Sequence, residues 1–266
     1  MKVLFQQAYT ISGVATDHSS IATSDFSGFV RLFNLEGQVM LAEQRATQLN
    51  AVALRGSVIA SDDDASTLKT GVAITTTGQI ITQVDFSLTN ATAIDKTGRY
   101  AVTTTQLIKD RISGVVWRVV PYELGYDKWP MGVELMPDGR LVTVGLDGYI
   151  RVWLGQQQFA VKQLAGNGCN SVDVSADGAR IVVTHWGKTA GSNPQPGIIV
   201  LDGQLNTLYE AVENYVIIHQ ARFLPDNSIV YGTHAGALCL WDGSSPIFTN
   251  PPSPATPSKP GKHHPK

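Results

Sequence analysis

The sequence has few of the features that mark disulfide-rich or strongly charged proteins. Its 266 residues include two cysteines, Cys169 and Cys239, which stand outside any CxxC spacing. A chain of this length buries enough apolar surface to fold without disulfide staples, so we expect both thiols to be small core residues. The 20 basic and 22 acidic residues give a net charge of −2. This balance provides no global basic field for nucleic acid or an anionic membrane.

Long hydrophobic runs are also absent. No stretch approaches the roughly 18 apolar residues of a membrane span, and the N-terminal segment MKVLFQQ turns polar before an apolar signal sequence develops. The sequence as it stands predicts a soluble, cytoplasmic chain with no membrane partner. A chain from which a presequence had been removed would look the same.

Common catalytic and cofactor motifs are missing. The sequence contains no G-x-S-x-G, H-E-x-x-H, G-x-x-x-x-G-K-[ST] or paired CxxC motif. The acidic run 62–64 lacks the spaced ligands and the closing Glu of an EF-hand loop. His263 and His264 fit a solvated tail better than a metal- or anion-binding site. We therefore expect no catalytic residue, no metal site and no cofactor.

An internal repeat is present instead. Six segments align on a small middle residue, and successive middle residues lie 38, 40, 41, 39 and 50 positions apart. This spacing is close to the roughly 40 to 45 residues of a four-stranded propeller blade, whose crowded innermost strand favours small side chains. The aligned residues are Gly13, Ala51, Ala91, Gly132, Ser171 and Ala221. Their polar neighbours, expected to face a wet central channel, are Asn50, Asn90, Asn170 and Gln220.

Turn and strand signals follow each small residue. Pro137-Asp138-Gly139 is typical of a hairpin turn, and the apolar runs after Gly28, Gly148 and Gly236 predict third strands. Shorter runs such as 38–41 close several units as fourth strands. Because strands recur at this spacing with no helical period, we expect an all-β fold.

The third strands resemble the ends of WD40 repeats. Asp147-Gly148-Tyr149-Ile150-Arg151-Val152-Trp153 looks like the pattern DG-x-I-x-V-W, and Trp241-Asp242 matches the dipeptide that names the family. The Gly-His pair that usually precedes the inner strand is missing, so the repeats are degenerate. The resemblance covers residues 1–249. It implies a single β-propeller of about six four-stranded blades, or alternatively seven.

Both ends of the chain have a predicted role in this architecture. Residues 2–6 are expected to add the outermost strand to the last blade, because pairing the two chain ends in one sheet removes two open edges. Residues 250–266 are rich in proline and are expected to form a disordered tail.

The resemblance also implies where a partner binds. In a WD40-like propeller the loops between second and third strands share one face, the top, with the loops that join successive blades. The longest insertions, 62–69, 105–113, 120–130 and 186–196, belong to these two classes. They carry aromatic and basic residues suited to interface anchoring. The predicted partner-binding residues are Lys109, Arg111, Tyr122, Tyr126, Lys128, Trp129, Trp186 and Lys188.

Two classes of function remain. The first is a non-enzymatic scaffold that binds a protein or peptide on the top face, as a monomer or as a subunit of a hetero-complex. The alternative is a lactonase-like or glycosidase-like propeller enzyme, or a glycan-binding module, that uses the central channel. That chemistry needs a cation or convergent carboxylates. Glu134 and Asp173 are interpreted as alternating away from the small residues, unless the register slips by one. His185 and His234 are interpreted as equivalent structural residues at the ends of second strands.

Overall fold

The computed structural model describes only part of the chain, and the tail 250–266 lies outside that part. The described residues are 2–17, 19–44, 49–55, 58–63, 72–75, 80–81, 91–95, 99–103, 107–110, 112–118, 129–164, 168–186, 196–212 and 217–242. Within these ranges the regular structure is entirely strand. None of the described segments forms a helix long and apolar enough to cross a membrane.

The described strands form six antiparallel sheets of four strands each. Sheet 1 contains β2 (Ile11–Thr16), β3 (Ser20–Asp25), β4 (Phe29–Asn34) and β5 (Val39–Gln44). Sheet 2 contains β6 (Leu49–Arg55), β7 (Val58–Asp63), β8 (Val72–Thr75) and β9 (Ile80–Ile81). Sheet 3 contains β10 (Ala91–Ile94), β11 (Tyr100–Thr103), β12 (Leu107–Asp110) and β13 (Val116–Arg118).

The remaining three sheets follow the same order along the chain. Sheet 4 contains β14 (Pro130–Leu135), β15 (Leu141–Gly145), β16 (Tyr149–Leu154) and β17 (Gln157–Gln163). Sheet 5 contains β18 (Cys169–Val174), β19 (Arg180–His185), β20 (Gly197–Asp202) and β21 (Thr207–Val212). Sheet 6 contains β22 (Ile218–Phe223), β23 (Ile229–Thr233), β24 (Ala237–Trp241) and the N-terminal strand β1 (Lys2–Gln6).

Sheet 6 joins the first and the last of the described strands. Strand β1 pairs antiparallel with β24, with Lys2 opposite Leu240 and Gln6 opposite Ala237. The Phe5 ring lies 5.1 Å from the Phe33 ring of sheet 1, measured between centroids. The predicted pairing of the N-terminal strand with the last sheet is therefore present in the structure.

Apolar side chains fill the spaces between neighbouring sheets. Separate buried clusters join sheets 1 and 2, 3 and 4, 4 and 5, 5 and 6, and also 6 and 1. Cys169 lies in the cluster between sheets 4 and 5 and Cys239 in the cluster between sheets 5 and 6, both as free thiols. Burial raises the pKa of Cys169 to about 12. Both cysteines are core residues, as predicted, and the arrangement of the sheets is consistent with a β-propeller.

A β-bulge recurs near the start of every first strand. In each case the register shifts after the first paired residue, so that one extra residue is inserted and the strand bends. The bulged residues are Ser12, Asn50, Thr92, Met131, Asn170 and His219.

The bulges correct the alignment of the repeat at two positions. All six small residues lie on first strands, as predicted. However, the residue that follows the bulge is Ala93 in sheet 3, where Ala91 was expected, and Gln220 in sheet 6, where Ala221 was expected. Gln220 pairs with Gly232, and a Cβ on Gly232 would lie 2.5 Å from Cγ2 of Ile11. In sheet 6 the small residue at this contact is therefore Gly232 of the second strand.

Close approach of the next sheet explains the small residue of sheet 4. A Cβ on Gly132 would lie 2.9 Å from Cγ2 of Val144 and 3.0 Å from the backbone nitrogen of Val172, which belongs to the first strand of sheet 5. At Gly132 the restriction on side-chain size therefore comes from packing against the second strand of the same sheet and against the next sheet.

Candidate partner-binding surface

The described turns divide between two ends of the sheets. Short turns join first to second strands and third to fourth strands at one end, which we call the tight-turn end. There, Arg140 of sheet 4 donates a hydrogen bond of 3.0 Å to the carbonyl oxygen of Gly203 in sheet 5. The connections from second to third strands, and from one sheet to the next, lie at the opposite end, which we call the loop end.

A repeated backbone hydrogen bond organises the loop end. The residue directly after the second strand donates its N–H to the carbonyl oxygen of the residue directly before the first strand of the same sheet. The pairs are Phe26 to Thr10 at 3.2 Å, Leu146 to Trp129 at 2.8 Å, Trp186 to Gly168 at 2.9 Å and His234 to Ile217 at 2.8 Å. This bond gives Phe26, Leu146, Trp186 and His234 equivalent positions, and we call these four residues the loop-end set.

Two members of the loop-end set contact the bulged residue of their own sheet. In sheet 5, the indole N–H of Trp186 donates to Oδ1 of Asn170. In sheet 6, Nδ1 of His234 lies 3.4 Å from Nε2 of His219. Asn170 is buried, and its Nδ2 donates to the carbonyl oxygen of Ile218 at 3.1 Å. The prediction that Asn170 faces a wet channel is therefore wrong, because its amide links two sheets.

His219 is held against sheets 1 and 5. Its ring packs edge-on against Phe26 with centroids 5.9 Å apart, and Oγ1 of Thr184 donates to its carbonyl oxygen at 3.3 Å. Burial, together with the charge that His234 can carry, lowers the pKa of His219 to about 4. Sequence reasoning missed this residue. The signal in the sequence was the position of His219 directly before Gln220, which matches the position of Asn170 directly before Ser171.

The register also corrects the equivalence proposed for His185 and His234. His185 is the last residue of β19, is buried, and pairs with Cys169. The matching position in sheet 6 is Thr233, which pairs with Ile218. His234 is one residue further along and is therefore equivalent to Trp186.

The two predicted tryptophans lie along one continuous part of the loop end. The carbonyl oxygen of Trp129 accepts from the N–H of Leu146, and a Cβ on Gly168 would lie 3.1 Å from Cδ2 of Leu146. The carbonyl oxygen of Gly168 in turn accepts from the N–H of Trp186, a residue that is 42% exposed. Leu146 and Gly168 therefore link the backbone positions of Trp129 and Trp186.

Lys109 was assigned to the wrong kind of segment. The interval 105–113 was interpreted as one inserted loop, but it contains strand β12, where Lys109 pairs with Ala101 and Val116. Lys109 is exposed and stands next to Asp110, at which the tight turn to β13 begins. It therefore lies towards the tight-turn end. The other predicted residues, Arg111, Tyr122, Tyr126, Lys128 and Lys188, lie outside the described part of the chain.

Near the loop end, sheet 1 and sheet 4 each contain an ion pair between an aspartate and an arginine. Asp25 is buried and pairs with Arg31, and Asp147 accepts from Arg151 at 2.7 Å. Burial by itself raises the pKa of Asp25, but hydrogen bonds from Ser27, from the Phe29 backbone and from Arg31 together hold it below its ordinary value. Each ion pair spans the turn between the second and third strands of its sheet.

The tryptophan of the recognised motif has a clear structural role. Nε1 of Trp153 on β16 donates to Oγ1 of Thr143 on β15 at 2.9 Å, and both residues are buried. A buried indole N–H needs such a partner. Trp153 therefore ties the third strand of sheet 4 to the second strand.

The two carboxylates considered for channel chemistry do not have the expected orientation. Glu134 and Asp173 lie two residues after Gly132 and Ser171 in uninterrupted ladders, so they share the face of the small residues. Both carboxylates are buried, and Oδ2 of Asp173 accepts the N–H of Phe223 in sheet 6 at 2.7 Å. Asp173 therefore links sheet 5 to sheet 6. In the described part of the chain, no three His, Cys, Asp or Glu side chains form a group that could hold a metal ion.

Comparison with known proteins identifies one repeat. Residues 122–153 match the family model described as WD domain, G-beta repeat. The match includes the first three strands of sheet 4, with the Trp153–Thr143 hydrogen bond and the Asp147–Arg151 pair. No curated protein matches the chain.

Proposed function

We propose that this chain, which its matched repeat assigns to the WD40-repeat-like proteins, closes into a six-bladed β-propeller over residues 1–249 and works as a protein-interaction scaffold, not as an enzyme. The buried clusters between sheets and the pairing of β1 with β24 support the ring. WD40 domains generally mediate protein interactions. A rigid ring suits this role because it holds binding groups in place before the partner arrives.

The partner, in our proposal, is a protein or peptide held at the loop end. The observation that carries this proposal is the repeated backbone hydrogen bond that sets Phe26, Leu146, Trp186 and His234 in equivalent positions. Such a series presents one side chain at the same level in each of these four sheets. By contrast, the tight-turn end uses polar groups to link neighbouring sheets, as in the Arg140 to Gly203 contact.

Trp186 is the expected anchor of the interaction. Trp186 is 42% exposed, while its indole N–H is already bonded to Asn170. An anchor held in this way loses little side-chain freedom on binding, and tryptophan is among the residues most enriched in binding hot spots. Trp129 and the predicted residues outside the described part of the chain extend this surface in the proposal.

The test is a binding titration with partners recovered on the full chain. Replacing Trp186 by Ala is expected to weaken binding by more than about 1 kcal/mol, or roughly fivefold, because it removes the exposed ring. The matched control is Leu154→Ala, which changes a residue that is 58% exposed at the tight-turn end of β16. The control is expected to leave the affinity unchanged.

Melting curves that match the parent establish that both variants are folded. Equal affinity of the parent and Trp186→Ala for every partner recovered would overturn the assignment of the loop end. A loss confined to Leu154→Ala would place the interface at the tight-turn end.

A further inference from the structure

Five aromatic side chains occupy neighbouring positions at the loop end of sheets 5, 6 and 1. We call them the aromatic arc, and they are Tyr9, Phe26, Trp186, His219 and His234. The centre of the arc is the ring of His219, which lies 5.9 Å from the Phe26 ring and 5.7 Å from the His234 ring, measured between centroids. Nε2 of His219 and Nδ1 of His234 lie 3.4 Å apart, so a hydrogen bond holds these two rings together.

Asn170 connects Trp186 to the centre of the arc. Its Oδ1 accepts the indole N–H of Trp186, and its Nδ2 donates to the carbonyl oxygen of Ile218, the residue directly before His219. Trp186 in sheet 5 is therefore linked to the strand of sheet 6 that carries His219.

Thr10 places Tyr9 at the other side of the arc. Oγ1 of Thr10, the residue directly after Tyr9, donates to the carbonyl oxygen of His234 at 2.8 Å. Tyr9 is 57% exposed and Trp186 is 42% exposed, and His234 is exposed as well. The arc therefore presents aromatic surface to solvent on both sides of its centre.

The arc carries little charge at neutral pH. Burial, together with the charge that His234 can carry, lowers the pKa of His219 to about 4, so this ring is neutral at pH 7. Asp25, directly before Phe26, is buried and paired with Arg31. Uncharged aromatic rings suit the apolar pyrrolidine rings of proline better than the side chains of a charged peptide.

The chain contains a segment of matching chemistry in its own tail. Residues 251–260, which lie outside the described part of the chain, have proline at every third position, namely at Pro251, Pro254, Pro257 and Pro260. A polyproline II helix has three residues per turn, so every third residue lies on one side of it. Segments of this kind bind in grooves lined by aromatic side chains. Pro252 and Pro265 stand outside this phase.

The tail begins close enough to reach the arc. Strand β24 runs from the loop end to the tight-turn end, and Asp242 directly after it is the last described residue. Residues 243–250 span up to about 26 Å when extended, whereas the five residues of β23 rise about 17 Å between the two ends of the sheet. Because a short linker gives its ligand an effective concentration of about millimolar, even a weak contact within one chain is populated.

We propose that the proline face of residues 251–260 binds to the aromatic arc of its own chain. The tail is then a built-in ligand of the loop end, and a protein partner has to displace it. This regulatory consequence rests on the proposed function, whereas the contact itself does not. Because a docked tail lowers the fraction of free loop ends, its removal is expected to tighten partner binding at least about twofold.

A paramagnetic label in the middle of the tail tests the contact without any partner. The full chain is labelled with ¹⁵N-tryptophan and carries a spin label at Ala255→Cys, because the two native thiols are buried. The indole signal of Trp186, assigned by its loss in Trp186→Phe, is expected to be broadened beyond detection. The signal of Trp241, which lies at the tight-turn end where the tail begins, is expected to persist.

Variants of the tail and of the arc then identify the two surfaces. Replacing the four in-phase prolines by Ala is expected to restore the Trp186 signal and to tighten partner binding. The matched control replaces the two out-of-phase prolines, Pro252 and Pro265, by Ala and is expected to change neither. On the arc, Tyr9→Ala is expected to restore part of the signal. Phe159→Ala changes a residue that is 59% exposed on β17 and is expected to have no effect.

A persistent Trp186 signal in the labelled chain, or equal broadening in the four-proline variant, would overturn the contact. Broadening in a mixture in which spin label and isotope are on different chains would also overturn it, because the tail would then bind a second copy. If Trp186→Ala weakens partner binding while the spin label leaves the Trp186 signal intact, the tail contact is wrong and the proposed function stands. Broadening at Trp186 with partner binding unchanged in Trp186→Ala would support the tail contact and overturn the partner site.

Discussion

Replacing Gly132 by Ala tests the packing reason for the small residue of the repeat. The added methyl group would lie 2.9 Å from Cγ2 of Val144 and 3.0 Å from the backbone nitrogen of Val172. Both neighbours are buried, and Val172 belongs to the first strand of the next sheet. Gly132 does not have a positive φ, so the variant tests space between strands and not backbone strain.

The expected magnitude is a balance of two effects. Overpacking a well-packed interior costs about 1 to 3 kcal/mol. Exchange of a strand glycine for alanine, where the backbone permits it, recovers about 0.5 to 1 kcal/mol through conformational entropy. We therefore expect the free energy of unfolding to fall by about 0.5 to 2 kcal/mol, with a decrease of about 2 to 4 °C in Tm per kcal/mol for a domain of this size.

Urea unfolding followed by far-ultraviolet circular dichroism provides the measurement, with an unchanged m-value as evidence that the same transition is observed. The control is Gly203→Ala, where the nearest atom to the new Cβ is the flexible Nη2 of Arg140 at 3.3 Å. We expect the control to change stability by less than about 0.5 kcal/mol. If Gly132→Ala were as stable as the control, the close approach of sheets 4 and 5 would not be the reason for a small residue.

Three further predictions follow from the packing and the ion pairs. Deleting residues 2–6 removes the strand that pairs with β24, so we expect a lower Tm and association through the exposed edge, measured by melting and size-exclusion chromatography; an unchanged Tm and a monomeric elution would contradict this. The buried thiols of Cys169 and Cys239 are expected to react with a thiol reagent at pH 8 only after unfolding, and rapid labelling of the native chain would refute it. The hydrogen bond from Arg99 holds the pKa of Asp110 well below its ordinary value, so this stabilisation is present above about pH 4 and is lost as the pH falls further. Arg99→Gln should make acid unfolding less steep, and an identical acid transition in parent and variant would argue against the pair.

The strand pattern could be predicted from the sequence because its signals are local. Glycine and aspartate at the turns and alternating apolar residues predicted the third strands Phe29–Asn34, Tyr149–Leu154 and Ala237–Trp241. The spacing of small residues placed all six of them on first strands. These features depend on neighbours along the chain and therefore leave a trace in the sequence itself.

The exact register depended on tertiary structure. A bulge inserts one residue without a distinctive sequence, so the alignment was wrong by two positions at Ala91 and by one at Ala221. In sheet 6 the space beside Ile11 requires a small residue, but Gly232 on the second strand fills that requirement as well as a residue of the first strand would. Packing restricts the total volume at the contact and does not restrict which strand supplies the small residue.

The candidate surface divides in the same way. Trp129 and Trp186 reached the loop end because their place in the order of strands and connections is readable from the repeat. Lys109 did not, because a four-residue strand lies inside an interval that looked like one loop. The His219–His234 contact joins residues 15 positions apart. It exists only because the bulge at His219 and the turn of the chain after β23 bring both rings to one end of the sheet, and the sequence alone does not reveal such a coincidence of register.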